Sequence, residues 1–389
     1  MFYAYGVSTQ GAYHIKNDVV CQDSHKIVKC GDNMIIAAVA DGLGSEQYTD
    51  VASRLAADIA TAYCAENIKK DDESRDILDT IRASFMISQR CIEKTAEDNG
   101  HDIDQYDTTL SLAVVIDDAL YYGHSGDSGI LVMAADGAFY KVTEQQHDDM
   151  GRVYPLAFEE HWIFQKYERK VVSVLLATDG MLESFFPIYI RKEKVNIHVP
   201  LARFFMDRDL LHIAEDGEDA VSSRMEKFLK EINPVQVSDD KTIVALINVS
   251  AECEKQPDDY YKEPDWEKLK KKFNDEWRRA AYPDLYKDED EAEKESSKSD
   301  AKEVVRDEEA ETHGSDGSND NTPREGEGHA DENICREQAG KSERRHFTED
   351  EVQYIRQKLS GRKLQNIHGG FKELSAKDHP SGNIKPEPD

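Results

Sequence analysis

The stretch "IIAAVADGLGSE", residues 35–46, runs six apolar residues into an aspartate, a glycine, a leucine and a second glycine. A short, continuous apolar run predicts a buried strand over 34–41. A carboxylate at the end of such a run is costly unless something compensates it. Asp41 therefore either caps the following helix or holds a cation.

On the C-terminal side, "YTDVASRLAADIATAYCAENI" (48–68) sets Val51, Leu55, Ile59 and Tyr63 four apart, the spacing of one helix face. "SRDILDTIRASFMISQRCIEK" (74–94) does the same with Ile77, Ile81, Phe85 and Ile92. Short β-rich runs follow at 109–116, 119–124, 129–135, 138–143, 161–168 and 171–179, with a last one at 241–249. Helical patterns near 200–215 and at 218–231 separate the last two strands. Closely spaced strands without strand–helix–strand alternation predict an α+β protein, with antiparallel sheets and the helices packed outside them.

The chain has 389 residues, a formal net charge of -30 and 39% hydrophobic residues. So low an apolar fraction points to a segment that does not pack. Both the first 250 residues and the remainder are net acidic. That excludes nucleic acid and anionic membrane as partners, while a negative field favours divalent cations. Cysteines at 21, 30, 64, 91, 253 and 335 form no CxxC pair and have no zinc-like spacing to histidine. With no signal peptide and no spanning apolar stretch, the expectation is a reduced, cytoplasmic protein.

After residue 250 the pattern changes. Residues 251–285 form a helical extension, with Trp266, Leu269, Phe273 and Trp277 on one stripe. Residues 286–345 are acidic and poor in large apolar groups, the composition of a disordered linker. Residues 346–389 form a tail with one short helix at 348–360, opened by a Thr348 to Glu351 capping box.

Asp41 belongs to a series. Asp127 sits in "SGDSGI" (125–130), Asp179 in "LLATDGMLESF" (175–185), Asp239 and Asp240 in "VSDDKTIVALI" (237–247), and Asp23 in "VVCQDSHKIV" (19–28). Each lies at the edge of a predicted strand, and glycine follows two of them. Mg²⁺ and Mn²⁺ take oxygen ligands from such carboxylates and from backbone carbonyls, which glycine lets approach the ion. Taken singly, these aspartates read as turn formers or helix caps. Their joint recurrence favours ligation. The paired aspartates of "HDIDQYDTT" (101–109) have no apolar strand before them, and no GxxxxGK nucleotide loop occurs.

"VADGLGSEQYTDVAS", "DTTLSLAVVIDDALYYGHSGDSG", "LLATDGMLESF" and "SDDKTIVALI", in this order, resemble the metal-dependent type 2C (PPM-type) protein phosphatases. "CQDSH" is similar to the opening acidic motif of some bacterial members. The resemblance spans 3–249 and assigns 1–250 to a phosphatase domain. It implies a four-layer αββα sandwich of two antiparallel sheets flanked by helices, with the site at one end. It also implies two ions, Mn²⁺ or Mg²⁺, and a third weaker one. Asp41 would bridge the two ions and Gly42 would offer its carbonyl to one. Asp179 and Asp239 would complete the protein ligands, and Asp127 with Asp179 would serve the third ion. Asp23 would hold a metal-bound water, with Gln22 and Asp240 standing behind the ligands.

The implied reaction is in-line hydrolysis of phosphoserine or phosphothreonine in proteins by an activated water, without a covalent phosphoenzyme. The implied partners are a phosphoprotein substrate and a cognate Ser/Thr kinase, with the enzyme a monomer. The sequence departs from the family in several places, among them two that bear on phosphate and leaving group. The arginine that grips phosphate is absent from "GAYHIKNDVVCQD", leaving His14 and Lys16 as candidates. Leu43 stands where some members carry a histidine. The missing arginine motivates an alternative: a scaffold or sensor that binds phosphoproteins without turnover.

Overall fold

A computed structural model describes residues 1–44 and 46–283. The linker expected at 286–345 and the helix expected at 348–360 lie outside the described residues. Along the chain come β1 (Phe2–Thr9), α1 (Ala12–Lys16), β2 (Ser24–Lys29), β3 (Met34–Ala40), α2 (Thr49–Asn67) and α3 (Ser74–Asn99). Then follow β4 (Leu110–Ile116), β5 (Ala119–Ser125), β6 (Gly129–Ala134), β7 (Phe139–Lys141), β8 (Ile163–Lys166) and β9 (Val171–Ala177). The remainder comprises α4 (Asp179–Phe185), α5 (Val199–Met206), α6 (Arg208–Leu211), α7 (Ile213–Asp216), α8 (Glu218–Glu231), β10 (Lys241–Asn248) and α9 (Trp266–Ala281).

The strands form two five-stranded antiparallel sheets, ordered β1-β10-β9-β6-β7 and β2-β3-β4-β5-β8. The apolar run that ends at Asp41 lies inside the second sheet. It is apolar throughout because both of its faces are covered. Ile35, Ala37 and Val39 point between the sheets, against Val132, Leu176, Val244 and Leu246. Ile36, Ala38 and Ala40 point the other way, among Ala52, Ala56, Ala60, Ile81 and Phe85 of α2 and α3. Period-two alternation thus feeds two cores at once. The outer face of the first sheet packs Tyr5, Leu175 and Ile243 against Phe185, Phe205, Val221 and Met225 of α4, α5 and α8. The layers are helix, sheet, sheet and helix, the architecture expected from the sequence. Burying one such aliphatic or aromatic side chain contributes about 1.5–3 kcal/mol.

Chain order does not follow sheet order. Strands β5 and β6 are neighbours in sequence yet belong to different sheets. The Gly126–Asp127–Ser128 turn is therefore a crossover between layers rather than a hairpin. The helical pattern at 200–215 is broken into α5, α6 and α7. Asp207 interrupts it and caps α6, its side chain accepting from the Asp209 N–H.

The extension after residue 250 packs on the first sheet and its helices. The Phe139 N–H donates to the Tyr260 hydroxyl at 2.8 Å, and Arg203 lies over the Tyr261 ring. On α9, Trp266 meets His198 edge-on and Phe273 meets Tyr189 edge-on, while Lys272 pairs with Glu193. Trp277, on the expected stripe, stays exposed. Among the described residues all five cysteines are free thiols, and no helix is long and apolar enough to cross a membrane.

Candidate active site

Registry places the aspartates at one end of the sandwich. Ser24 pairs with Ala40, Leu110 with Ser125, Gly129 and Ile243 with Ala177, and Thr9 with Lys241. Hence the start of β2, the end of β3, the β5–β6 crossover, the end of β9 and the start of β10 meet at the same edge. These points carry Asp23, Asp41, Asp127, Asp179 and the Asp239–Asp240 pair.

Asp41 does not cap a helix, since α2 begins only at Thr49 and its N-cap is Tyr48. Its main chain is fixed instead. The Asp41 N–H donates to the Thr109 hydroxyl at 2.9 Å. The Asp41 carbonyl accepts from the Thr109 N–H at 2.8 Å and from the Thr108 hydroxyl at 2.9 Å. Gly42 follows because nothing larger fits: a Cβ there would lie 2.6 Å from Thr49 Cβ and 2.8 Å from the Thr49 backbone. Asp179 opens α4, and Thr178 holds the N-cap position without capping. The Thr178 hydroxyl donates to Asp23 Oδ2 at 2.7 Å instead. A Cβ on Gly180 would stand 2.1 Å from the Asp240 carbonyl oxygen, so glycine lets the β9 and β10 loops close on each other.

Asp23 and Asp127 are buried, Asp41 and Asp179 half-buried, and Asp239 exposed. Burial, then the carboxylates of Asp23, Asp179 and Asp127, hold the Asp41 carboxyl well above the usual carboxylate range. The Asp41 and Asp179 carboxyls act on each other's titration, which favours keeping a proton on the pair when no cation separates them. Asp179 is raised first by burial and then by Asp239 and Glu183, against the lowering effect of the neighbouring Asp41. Burial raises Asp23, the Thr178 and Thr242 hydroxyls oppose the shift, and Asp240 and Asp179 add to it. Asp127 is pushed up to about 7 by burial and then by Asp179, with Asp239 and Glu183 contributing. Its Oδ1 is buried with no hydrogen-bond partner. Four acids shifted in one direction, a partnerless buried oxygen and a glycine-lined approach fit hard divalent cations.

The remaining candidates sit around this group. Asp240 is buried, accepting from the Gly11 N–H at Oδ1 and the Gln22 N–H at Oδ2, each at 2.6 Å. Gln22 is buried, and its carbonyl accepts from the Ser53 hydroxyl and the Gly42 N–H. His14 is turned inward, with Nδ1 2.8 Å from Asp240 Oδ1. Lys16 is exposed at the end of α1. Sequence reasoning missed three groups. Thr178 donates its hydroxyl to Asp23, the nearby Thr242 hydroxyl donates to Ser8 Oγ at 2.7 Å, and buried Lys241 donates from Nζ to the Asp239 carbonyl at 3.2 Å. All three lie beside aspartates already singled out, but no local pattern marks them.

The sequence profile described as Protein phosphatase 2C matches residues 10–230, more than half of the chain. No curated relative matches by sequence. Among solved structures, the chain is similar to serine/threonine phosphatase Stp1 from Staphylococcus aureus at 16% identity and TM-score 0.42, over 64% of this chain and 95% of that one. It is also similar to the Mycobacterium tuberculosis serine/threonine phosphatase PstP/Ppp at 20% identity and TM-score 0.42, over 65% and 99% of the two chains. The profile match, which spans more than half of the chain and includes Asp23, Asp41, Asp127 and Asp179, assigns the chain to the protein phosphatase 2C family, as a protein-serine/threonine phosphatase.

Proposed function

We propose that the protein hydrolyses phosphoserine and phosphothreonine in proteins using two divalent cations, Mn²⁺ or Mg²⁺. The observation that carries this reading is the gathering of Asp23, Asp41, Asp127, Asp179 and Asp239 at one end of the sandwich, four of them with carboxyls driven upward by burial and by one another. Asp41, Asp179, Asp239 and the Gly42 carbonyl hold the two ions, and Asp127 with Asp179 holds a third, weaker one. When bound, such ions supply an activated water and offset charge on the transferred phosphoryl group.

The chain's own groups fix the geometry. Thr178 anchors Asp23 through Oδ2, so the Asp23 carboxylate is oriented to accept a proton from water in the cleft. Asp240 ties the Gly11 and Gln22 main chains together and so holds the Asp23 segment against the β10 loop. Residues 1–250 act as the catalytic unit, 251–283 brace it, and a Ser/Thr kinase supplies the phosphoprotein substrate.

The test is turnover of an aryl phosphate and of a phosphothreonine peptide by the full chain, stripped with chelator and reloaded with Mn²⁺. Activity should depend on the cation. Asp41→Asn should lower it more than about 100-fold, because even the hydrogen-bonded partners of metal ligands cost up to about that much. Equal turnover in the variant, or turnover in chelator, would refute the assignment.

A further inference from the structure

His14 is 4% exposed, and its Nδ1 is buried without a hydrogen-bond partner. Yet that nitrogen lies 2.8 Å from Asp240 Oδ1 and out of line for a hydrogen bond, so its in-plane direction is aimed past the oxygen rather than at it. Ligand atoms of His14, Asp239 and Asp240 all fall within 4.8 Å of one another. The Asp240 carboxylate keeps capacity for another partner. Gly11 and Gln22 each use one lone pair, one on either oxygen, and a carboxylate has about four acceptor sites. Asp239 Oδ1 accepts from the Asp240 N–H at 2.8 Å, and its other oxygen is left for a ligand.

We infer that His14, Asp239 and Asp240 form a further cation site, for a first-row divalent transition ion that accepts an imidazole nitrogen. Two donors 2.8 Å apart, each about 2.1 Å from an ion, subtend about 84° at it, an angle found in five- and six-coordinate shells of first-row transition ions. A cation seated off the Nδ1–Oδ1 line would meet both donors and give the unpartnered nitrogen a bond. One imidazole and two carboxylates suit a first-row transition ion better than Mg²⁺, which prefers oxygen alone, and Zn²⁺ serves as the probe. The site lies beside the proposed catalytic ions and shares Asp239 with them. Its occupancy does not depend on turnover.

The experiment loads the full chain with Zn²⁺ in excess Mg²⁺, counts retained zinc by equilibrium dialysis, and reads its ligands by X-ray absorption. One zinc per chain with an imidazole in its shell is expected. His14→Ala should lose that ion, and Asp41→Asn should keep it. Three results would overturn the inference: no zinc retained by the parent chain, zinc without imidazole, or zinc retained by a folded His14→Ala variant. Loss of the zinc in Asp41→Asn would also overturn it, by placing the ion among the oxygen-only ligands. Retained His14-dependent zinc together with no phosphatase activity would sink the proposed function and leave this site standing.

Discussion

Replacing Asp127 with asparagine isolates the cost of one buried carboxylate that lacks its cation. Asp127 is 5% exposed, Oδ1 has no partner, and its pKa rises from 3.8 to about 7. Between those values the folded chain keeps a proton that the unfolded chain has released. Stability of the metal-free protein therefore falls as pH rises through that window, and the loss is complete above about pH 7. About three units at about 1.4 kcal/mol each set a ceiling near 4 kcal/mol. Asparagine cannot ionise and escapes this term. In chelator, urea unfolding followed by tryptophan fluorescence should show the variant gaining on the parent by about 3 kcal/mol between pH 4.5 and pH 8. Saturating Mn²⁺ should narrow this gap, because the weaker ion held by Asp127 with Asp179 stabilises the parent more than the variant. A difference in chelator that stays flat with pH would refute the reasoning.

Gly42→Ala drives a methyl group into Thr49 and should cost about 1–3 kcal/mol of stability, lowering the calorimetric Tm by several degrees; an unchanged Tm would show that the loop yields freely. Thr178→Val keeps the shape but removes the donor to buried Asp23, at a cost of about 1–3 kcal/mol near neutral pH. It should also raise the acid limb of the rate profile, since that bond lowers the Asp23 pKa. A variant with the parent's stability and profile would deny the bond its role.

Much of the fold was legible because its strands are buried on both faces and its helices carry one apolar stripe. β3, β4 and β9 are buried along their whole lengths, and α3 keeps Ile77, Ile81, Phe85 and Ile92 inward. β1 escaped notice because "FYAYGVST" mixes hydroxyls and a glycine with its apolar residues. α1, at five residues, is too short to show a period. Which sheet each strand joins could not be read, because the short β5–β6 turn looks like a hairpin and is a crossover. The carboxylates were legible as a set, since each breaks a strand edge in the same way. The hydroxyls that hold them were not. Thr178 reaches Asp23 across 155 positions, and nothing local distinguishes it from an ordinary N-cap.

Anomalous diffraction from crystals soaked in Mn²⁺ would place the ions themselves. Two peaks should stand between Asp41, Asp179 and Asp239, one of them in reach of the Gly42 carbonyl. Soaked crystals with no manganese among these carboxylates, or with ions only at the protein surface, would contradict the two-cation hydrolase.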